Sequence, residues 1–124
     1  MFINIHTHHK PKSNEWAIQS LYEDFDRATS PGVYSIGLHP WYIDAQNWKA
    51  QLNALKEQSI QKQVLAIGEC GLDKVCPTNM ELQVEVLSEQ VQWANEIGKP
   101  LIIHCVRAFD ELLAILAKQS ILVP

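Results

Sequence analysis

Four apolar runs in the sequence each end in a histidine or a glutamate. The runs cover residues 2–5, 33–38, 64–67 and 101–103. The polar residues that follow them are His6 and His8, His39, Glu69, and His104. Short runs rich in branched residues predict β-strands, and continuous apolar character predicts burial on both faces. We therefore expect buried strands whose carboxyl ends carry the chemistry of the protein.

Apolar residues at helical spacing follow the later runs and predict three helices. The first helix has Asp44 as its predicted N-cap, and the second starts at a Thr78 and Glu81 pair of the capping-box type. The predicted core-facing stripes are Trp48, Leu52 and Leu55, then Met80, Val84, Leu87, Val91 and Ala94, and finally Phe109, Leu112, Leu113 and Leu116. Residues 15–21 fit a strand or a short helix, and residues 121–123 predict another strand.

The alternation of strands and helices predicts parallel β/α units with right-handed crossovers. In a TIM-type β/α barrel the carboxyl ends of all strands meet on the face that carries the active site. A doubly wound sheet gathers such residues only at its switch point, and the sequence has no Gly-rich phosphate loop for one. We predict an α/β fold of the TIM-barrel type. Such barrels usually need about 250 residues, so we expect residues 1–124 to be a single partial domain, the N-terminal part of a barrel.

Charge and cysteine content narrow the class of protein further. A net charge of −4 provides no basic surface for sequence-independent binding of nucleic acid, so a phosphate substrate would have to be held locally. The three cysteines form no C-x-x-C pair, and no charged-then-apolar leader opens the chain. No apolar run approaches the roughly 20 residues of a membrane span. We expect reduced thiols and a cytoplasmic protein.

Glu69 is the polar residue that most needs a partner. An uncompensated carboxylate out of water costs several kcal/mol, so it is paired, protonated or bound to a metal. His6 and His8 lie two residues apart at the end of the predicted strand 2–5, and in extended chain such residues face the same side and can reach one ion. Other interpretations stay open: a polar loop at the first two histidines, a turn histidine at His39, and a core histidine at His104.

Several blocks of the sequence resemble the TatD family of metal-dependent deoxyribonucleases, which belongs to the amidohydrolase-type TIM barrels. The blocks are His6-Thr7-His8, Gly37-Leu38-His39-Pro40, Gly68-Glu69-Cys70-Gly71-Leu72-Asp73, and the run from Gln83 to Gln90 through Lys99-Pro100 to His104. They occur in the family's order and span most of the chain. The Gly-Glu-x-Gly-Leu-Asp block is the most specific of them.

The resemblance implies a pair of divalent ions at the active site. His6 and His8 would bind one ion, and His104 would bind the other. Glu69 would bridge both and serve as the catalytic carboxylate. Two ions roughly 3.5–4 Å apart clamp a phosphodiester and lower the pKa of a bound water. The implied cofactors are divalent metals, with Zn, Mn, Mg and Fe not distinguished, and the implied partner is DNA or another phosphodiester substrate.

Three more residues are candidates for substrate contact or for orienting a metal ligand: His39, Asp73 and Arg107. The family usually has Asp at the position of Asn4 and Arg at the position of Val106, so Arg107 stands one residue beyond the family's arginine.

Two alternatives to a nuclease stay open at this point. An amidohydrolase-like enzyme would use the same centre on a small ester, amide or lactone. An inactive partial barrel would lack the family's remaining histidine and aspartate ligands, which lie on strands beyond Pro124. Trp41 and Tyr42, beside the predicted site, are either packing residues or a surface for stacking on a nucleobase. The oligomeric state is left open.

Overall fold

The computed structural model describes residues 1–119, which form one parallel sheet with helices on its outer side. The strands are β1 (Phe2–Thr7), β2 (Glu15–Leu21), β3 (Val33–Ile36), β4 (Val64–Asp73) and β5 (Leu101–Val106). The α-helices are α1 (Trp48–Ser59), α2 (Met80–Ile97) and α3 (Phe109–Lys118), and short 3-10 helices cover Phe25–Thr29 and Pro40–Tyr42. The strand predicted at residues 121–123 lies outside the described residues. Within residues 1–119, no helix has the length and apolar content needed to cross a bilayer.

The order of the strands in the sheet identifies the architecture. Every strand is parallel to its neighbours, and the spatial order β1-β2-β3-β4-β5 is the order along the chain. A doubly wound sheet would reverse its strand order at a switch point, whereas a barrel adds each new strand on the same side. The chain therefore forms part of a TIM barrel, as predicted. The ambiguous segment at residues 15–21 is a strand.

The first two crossovers contain no α-helix. Residues 8–14 link β1 to β2, and residues 22–32 link β2 to β3 with only a 3-10 helix. A parallel crossover usually carries a helix that covers the outer face of its strands. Without one, Ile3 and Ile5 of β1 remain 73% and 68% exposed.

The core lies between the sheet and the three α-helices. One cluster of buried residues includes Leu21, Ile36, Leu38, Leu52, Leu55, Ile67 and Val86, and a second includes Cys70, Leu72, Leu87, Val91, Leu112 and Ile115. The predicted stripes of α1 and α2 thus face the sheet. In α3 the prediction is partly wrong, because Phe109 and Leu113 are each 63% exposed. These two residues lie four apart on one side of the helix, while Leu112 and Ile115 form the row that meets the core.

Both predicted helix starts are shifted along the chain. The N-cap of α1 is Asn47, and Asp44 lies in the turn before it. The N-cap of α2 is Asn79, whose side chain accepts a 3.3 Å hydrogen bond from the Leu82 amide. Thr78 instead donates its hydroxyl to a backbone carbonyl 2.6 Å away in the Pro40–Tyr42 segment. A tertiary contact thus replaces the capping box.

Two buried glutamines of α2 hold the carboxyl ends of β3 and β4. Gln90 accepts a hydrogen bond from the Leu38 amide at 2.8 Å and donates to the carbonyl of the same residue at 3.3 Å. Gln83 accepts from the Asp73 amide at 2.7 Å and donates to the Asp73 carbonyl at 3.0 Å. The two side chains lie seven residues apart, on one face of the helix. They provide buried backbone groups with partners at points where ladder pairing ends.

Replacement of Gln90 by Leu tests this anchoring. The variant would leave the buried amide and carbonyl of Leu38 without a partner, and each such group costs about 1–3 kcal/mol. We expect Gln90→Leu to lower the free energy of unfolding by that amount or more, measured by urea denaturation. The control is Gln92→Leu on the exposed side of the same helix, which should change the free energy of unfolding by less than about 0.5 kcal/mol. Equal effects of the two variants would contradict the anchoring role.

Candidate metal centre

The structure brings five of the predicted site residues together at the carboxyl ends of the strands. Glu69 lies at the centre, and its two carboxylate oxygens face histidines from three other strands or the segments that follow them. The surrounding imidazoles belong to His6 and His8 at the end of β1, His39 after β3, and His104 of β5. Parallel strand ends converge on one face of a barrel, which places residues distant in sequence side by side.

Glycines beside Glu69 let β4 approach its two neighbours closely. A Cβ atom built on Gly37 would lie 2.7 Å from the backbone of Gly68 in β4. A Cβ atom built on Gly71 would overlap the carbonyl oxygen of His104 in β5. The register also shifts between Gly68 and Cys70, at the position of Glu69. Side chains larger than hydrogen at these positions would push apart the strands that carry the site.

One oxygen of Glu69 faces the two histidines at the end of β1. The Oε1 atom lies 3.4 Å from His6 Nε2 and 3.9 Å from His8 Nε2. Ligand atoms about 2.0–2.1 Å from a tetrahedral ion lie roughly 3.4 Å apart. The His6 separation equals this value, the His8 separation is longer, and the ligand atoms of all three residues lie within 4.8 Å of one another. The Nδ1 atom of His6 is buried with no hydrogen-bond partner among residues 1–119, so neither nitrogen of this ring is committed elsewhere. The donor set of two imidazoles and a carboxylate suits a divalent transition metal.

The other oxygen of Glu69 faces His104. Glu69 Oε2 lies 3.0 Å from His104 Nδ1, while Asp73 Oδ2 lies 2.8 Å from His104 Nε2. A neutral imidazole carries one N–H, so it donates to only one of these carboxylates. When Nε2–H donates to Asp73, the Nδ1 lone pair faces Glu69 and is available to a cation. Carboxylate, histidine and metal are commonly arranged in this way.

Asp73 is a charged acceptor below the centre. It is 3% exposed, and this burial raises the pKa of its carboxyl group. Hydrogen bonds from His104, from the Trp41 indole at 2.8 Å and from the Val75 amide at 2.8 Å outweigh burial and hold the pKa at about 2. Asp73 is therefore ionised in the neutral range, where it can accept Nε2–H from His104 and so fix the tautomer of that ring.

His39 faces the centre through a nitrogen that carries hydrogen. Its Nδ1 atom accepts a 3.1 Å hydrogen bond from the Trp41 amide, so the proton of the neutral ring resides on Nε2. Burial lowers the pKa of His39, and the neighbouring His104 lowers it further, which favours the neutral ring at pH 7. Ligand atoms of His39, Glu69 and His104 lie within 4.8 Å of one another. The tautomer nevertheless makes His39 Nε2 a hydrogen-bond donor rather than a metal ligand.

A cavity of about 440 Å³ opens beside the centre. It is lined by His8, Tyr22, His39, Trp41, Tyr42 and Glu69. Sequence analysis missed Tyr22, although it directly follows β2 and thus stands at a strand end like the histidines. The hydrophobic pattern did not decide whether residues 15–21 form a strand or a helix. Without a strand there, Tyr22 could not be recognised as a strand-end residue.

Within the described part of the chain, Arg107 makes no polar contact with the centre, whereas Asn4 makes hydrogen bonds beside it. Arg107 is exposed and follows β5 with a φ angle of 56°, and within residues 1–119 its side chain makes no hydrogen bond or ion pair with the centre. Asn4 accepts a 3.1 Å hydrogen bond from the His6 amide and donates to Glu15 at 3.2 Å. Asn4 therefore ties the start of the histidine pair to β2.

Sequence comparison shows which known proteins the chain is similar to. The chain is 38% identical over 82 residues to the 3'-5' ssDNA/RNA exonuclease TatD of Erwinia billingiae, covering 64% of this chain and 31% of that protein. It is 36% identical over 101 residues to the same-named protein of Edwardsiella piscicida, covering 80% of this chain and 36% of that protein. It is also 36% identical over 88 residues to an uncharacterized metal-dependent hydrolase, YabD of Bacillus subtilis, covering 69% and 34% of the two chains. The chain spans about a third of the length of these relatives.

A solved structure and a family profile complete the comparison. The crystal structure of YJJV, a TatD homolog from Escherichia coli K12, superposes with a TM-score of 0.68 over 94% of this chain and 55% of that one. The sequence identity is 24%, so this likeness shows the shared fold. The profile of the TatD related DNase family matches residues 3–122. This chain therefore belongs to the TatD related DNase family.

Proposed function

We propose that the protein is a metal-dependent hydrolase that cleaves phosphodiester bonds of nucleic acid. The observation that carries this proposal is the position of Glu69, whose two oxygens face separate sets of histidines. Relatives named as ssDNA/RNA exonucleases and metal-dependent hydrolases support both parts of the proposal. Residues 1–124 would form a single partial domain of the whole enzyme.

Two ion positions account for the donor atoms around Glu69. His6 and His8 would hold one ion together with Glu69 Oε1. His104 would hold a second ion together with Glu69 Oε2. A single carboxylate that serves both ions offsets part of their charge, and neutral imidazoles add none. Ions held there would polarise a phosphodiester and activate a water molecule for attack. Imidazole ligands favour Zn, Fe or Mn over Ca.

The remaining residues of the site would orient these groups and bind substrate. Asp73 holds Nε2–H of His104 and so keeps its Nδ1 aimed at the centre. His39 would donate Nε2–H to an oxygen of the substrate, because its other nitrogen is occupied by the Trp41 amide. No lysine or arginine lines the 440 Å³ cavity among residues 1–119. The negative charge of a phosphate there would therefore be met by ions rather than by side chains, and Arg107 would reach substrate only after its side chain moved.

We also propose that the protein is cytoplasmic. All three cysteines are free thiols in the structure, and Cys70 and Cys76 are buried. Thiols that stay reduced are typical of cytosolic proteins.

Metal titration of Glu69→Gln tests the bridging role. Loss of even an outer partner of a metal ligand costs about 10–100-fold in affinity, so loss of a charged ligand should weaken binding at least tenfold. We expect isothermal titration calorimetry with Zn²⁺ or Mn²⁺ to show this loss. The matched control is Glu85→Gln on the exposed face of α2, which should bind metal like the unaltered chain. Unchanged affinity in Glu69→Gln would contradict the proposed centre.

A substrate panel tests the reaction. We expect a metal-stripped full-length form to regain hydrolysis of single-stranded DNA or RNA when Mn²⁺ or Zn²⁺ is added, and Glu69→Gln to abolish this activity. The panel also includes a small carboxylic ester, an amide and a lactone. Hydrolysis of one of these without cleavage of nucleic acid would support the amidohydrolase alternative instead.

A further inference from the structure

We propose that Trp41 and Tyr42 form a subsite that stacks on the base of an unpaired nucleotide next to the scissile phosphate. This inference rests on the proposed phosphodiesterase function and specifies how its substrate is bound. Its basis is an aromatic surface that shares one cavity with the candidate metal centre.

The cavity places the Trp41 and Tyr42 rings next to the candidate metal centre, where the scissile phosphate would bind. Trp41 and Tyr42 line the same 440 Å³ space as Glu69 and His8. A volume between about 300 and 1,000 Å³ is typical of sites for small organic ligands. A phosphate held at the centre would therefore place its attached sugar and base within the space bounded by the two rings.

Trp41 and Tyr42 are neighbours and remain 46% and 47% exposed. Single exposed aromatic residues are common on protein surfaces, whereas adjacent ones that border a cavity often mark a binding site. The core of this region is filled by Leu38 and Pro40, which are fully buried. The two exposed rings are therefore not needed to fill it.

Three contacts hold the aromatic segment in place. The Trp41 indole donates a 2.8 Å hydrogen bond to Asp73. The Tyr42 ring stacks on the Tyr22 ring with centroids 4.1 Å apart and planes inclined by 17°. The Tyr42 carbonyl accepts a 3.0 Å hydrogen bond from Gln51. A surface fixed before binding loses little conformational entropy when a ligand arrives, which favours affinity.

The chemistry of this surface selects a nucleobase. Because no lysine or arginine lines the cavity among the described residues, the rings do not face a second phosphate-binding group of that kind. Every base has a planar face that stacks on aromatic side chains, so such a subsite tolerates any sequence. A base paired and stacked inside a duplex does not offer this face. The subsite therefore favours single strands and unpaired ends.

Binding of matched single strands to the metal-loaded chain tests the subsite. One probe is a short oligothymidine with phosphorothioate linkages, and the other is an abasic strand with the same backbone and length. We expect fluorescence anisotropy to show metal-dependent binding of both, with the base-bearing strand bound roughly 5- to 100-fold more tightly. Tyr42→Leu should bring this ratio close to one, whereas Tyr42→Phe, which keeps the ring, should retain it. Trp41→Leu is a second variant with the same expected loss, should Tyr42→Leu fail to fold.

The outcomes separate this inference from the function on which it rests. Equal, metal-dependent binding of the two strands by the unaltered chain would overturn the subsite and leave the phosphodiesterase proposal standing. A base preference that persists in both leucine variants would also overturn it. Failure to bind either strand in the presence of metal would overturn the subsite together with the assignment of nucleic acid as substrate.

Discussion

The candidate site is organised around one largely buried carboxylate that is surrounded by imidazoles. The side chain of Glu69 is 19% exposed, and its two oxygens face different strands of the sheet. A carboxylate withdrawn from water requires positive charge or hydrogen-bond donors nearby. Imidazoles meet this need only in part, and cations held between them and the carboxylate would meet more of it. The same arrangement that balances the charge of Glu69 would therefore assemble the reactive centre.

Other parts of the chain hold the Glu69 carboxylate and the surrounding imidazoles in position. Gly71 permits close contact between β4 and β5, and the buried glutamines Gln83 and Gln90 fix the backbone where β4 and β3 end. Asp73 then orients His104 from below. Polar side chains that satisfy buried backbone groups are costly to remove, and here they also set the positions of the site residues. The same hydrogen bonds thus stabilise the fold and position the residues of the candidate site.

The sequence predicted the barrel and the gathering of His6, His8, Glu69 and His104, because strand ends in parallel β/α units converge whatever their separation along the chain. It did not predict the features that depend on tertiary contacts. The exposed side of α3 depends on how that helix meets the sheet, and the cap of α2 changed because Thr78 bonds to another segment. The donor role inferred for His39 follows from a single amide hydrogen bond, which no pattern of residue types reveals. The pattern of residue types predicted which side chains lie together at the strand ends, and the structure was needed to specify their hydrogen bonds.

The proposed two-ion centre is tested most directly by a crystal structure of the chain grown with Mn²⁺ or Zn²⁺ and recorded at the absorption edge of that metal. We expect two anomalous scattering peaks, one between Glu69 Oε1 and the imidazoles of His6 and His8, the other between Glu69 Oε2 and His104 Nδ1. Peaks elsewhere, or a fully loaded crystal with no peak in contact with Glu69, would contradict it.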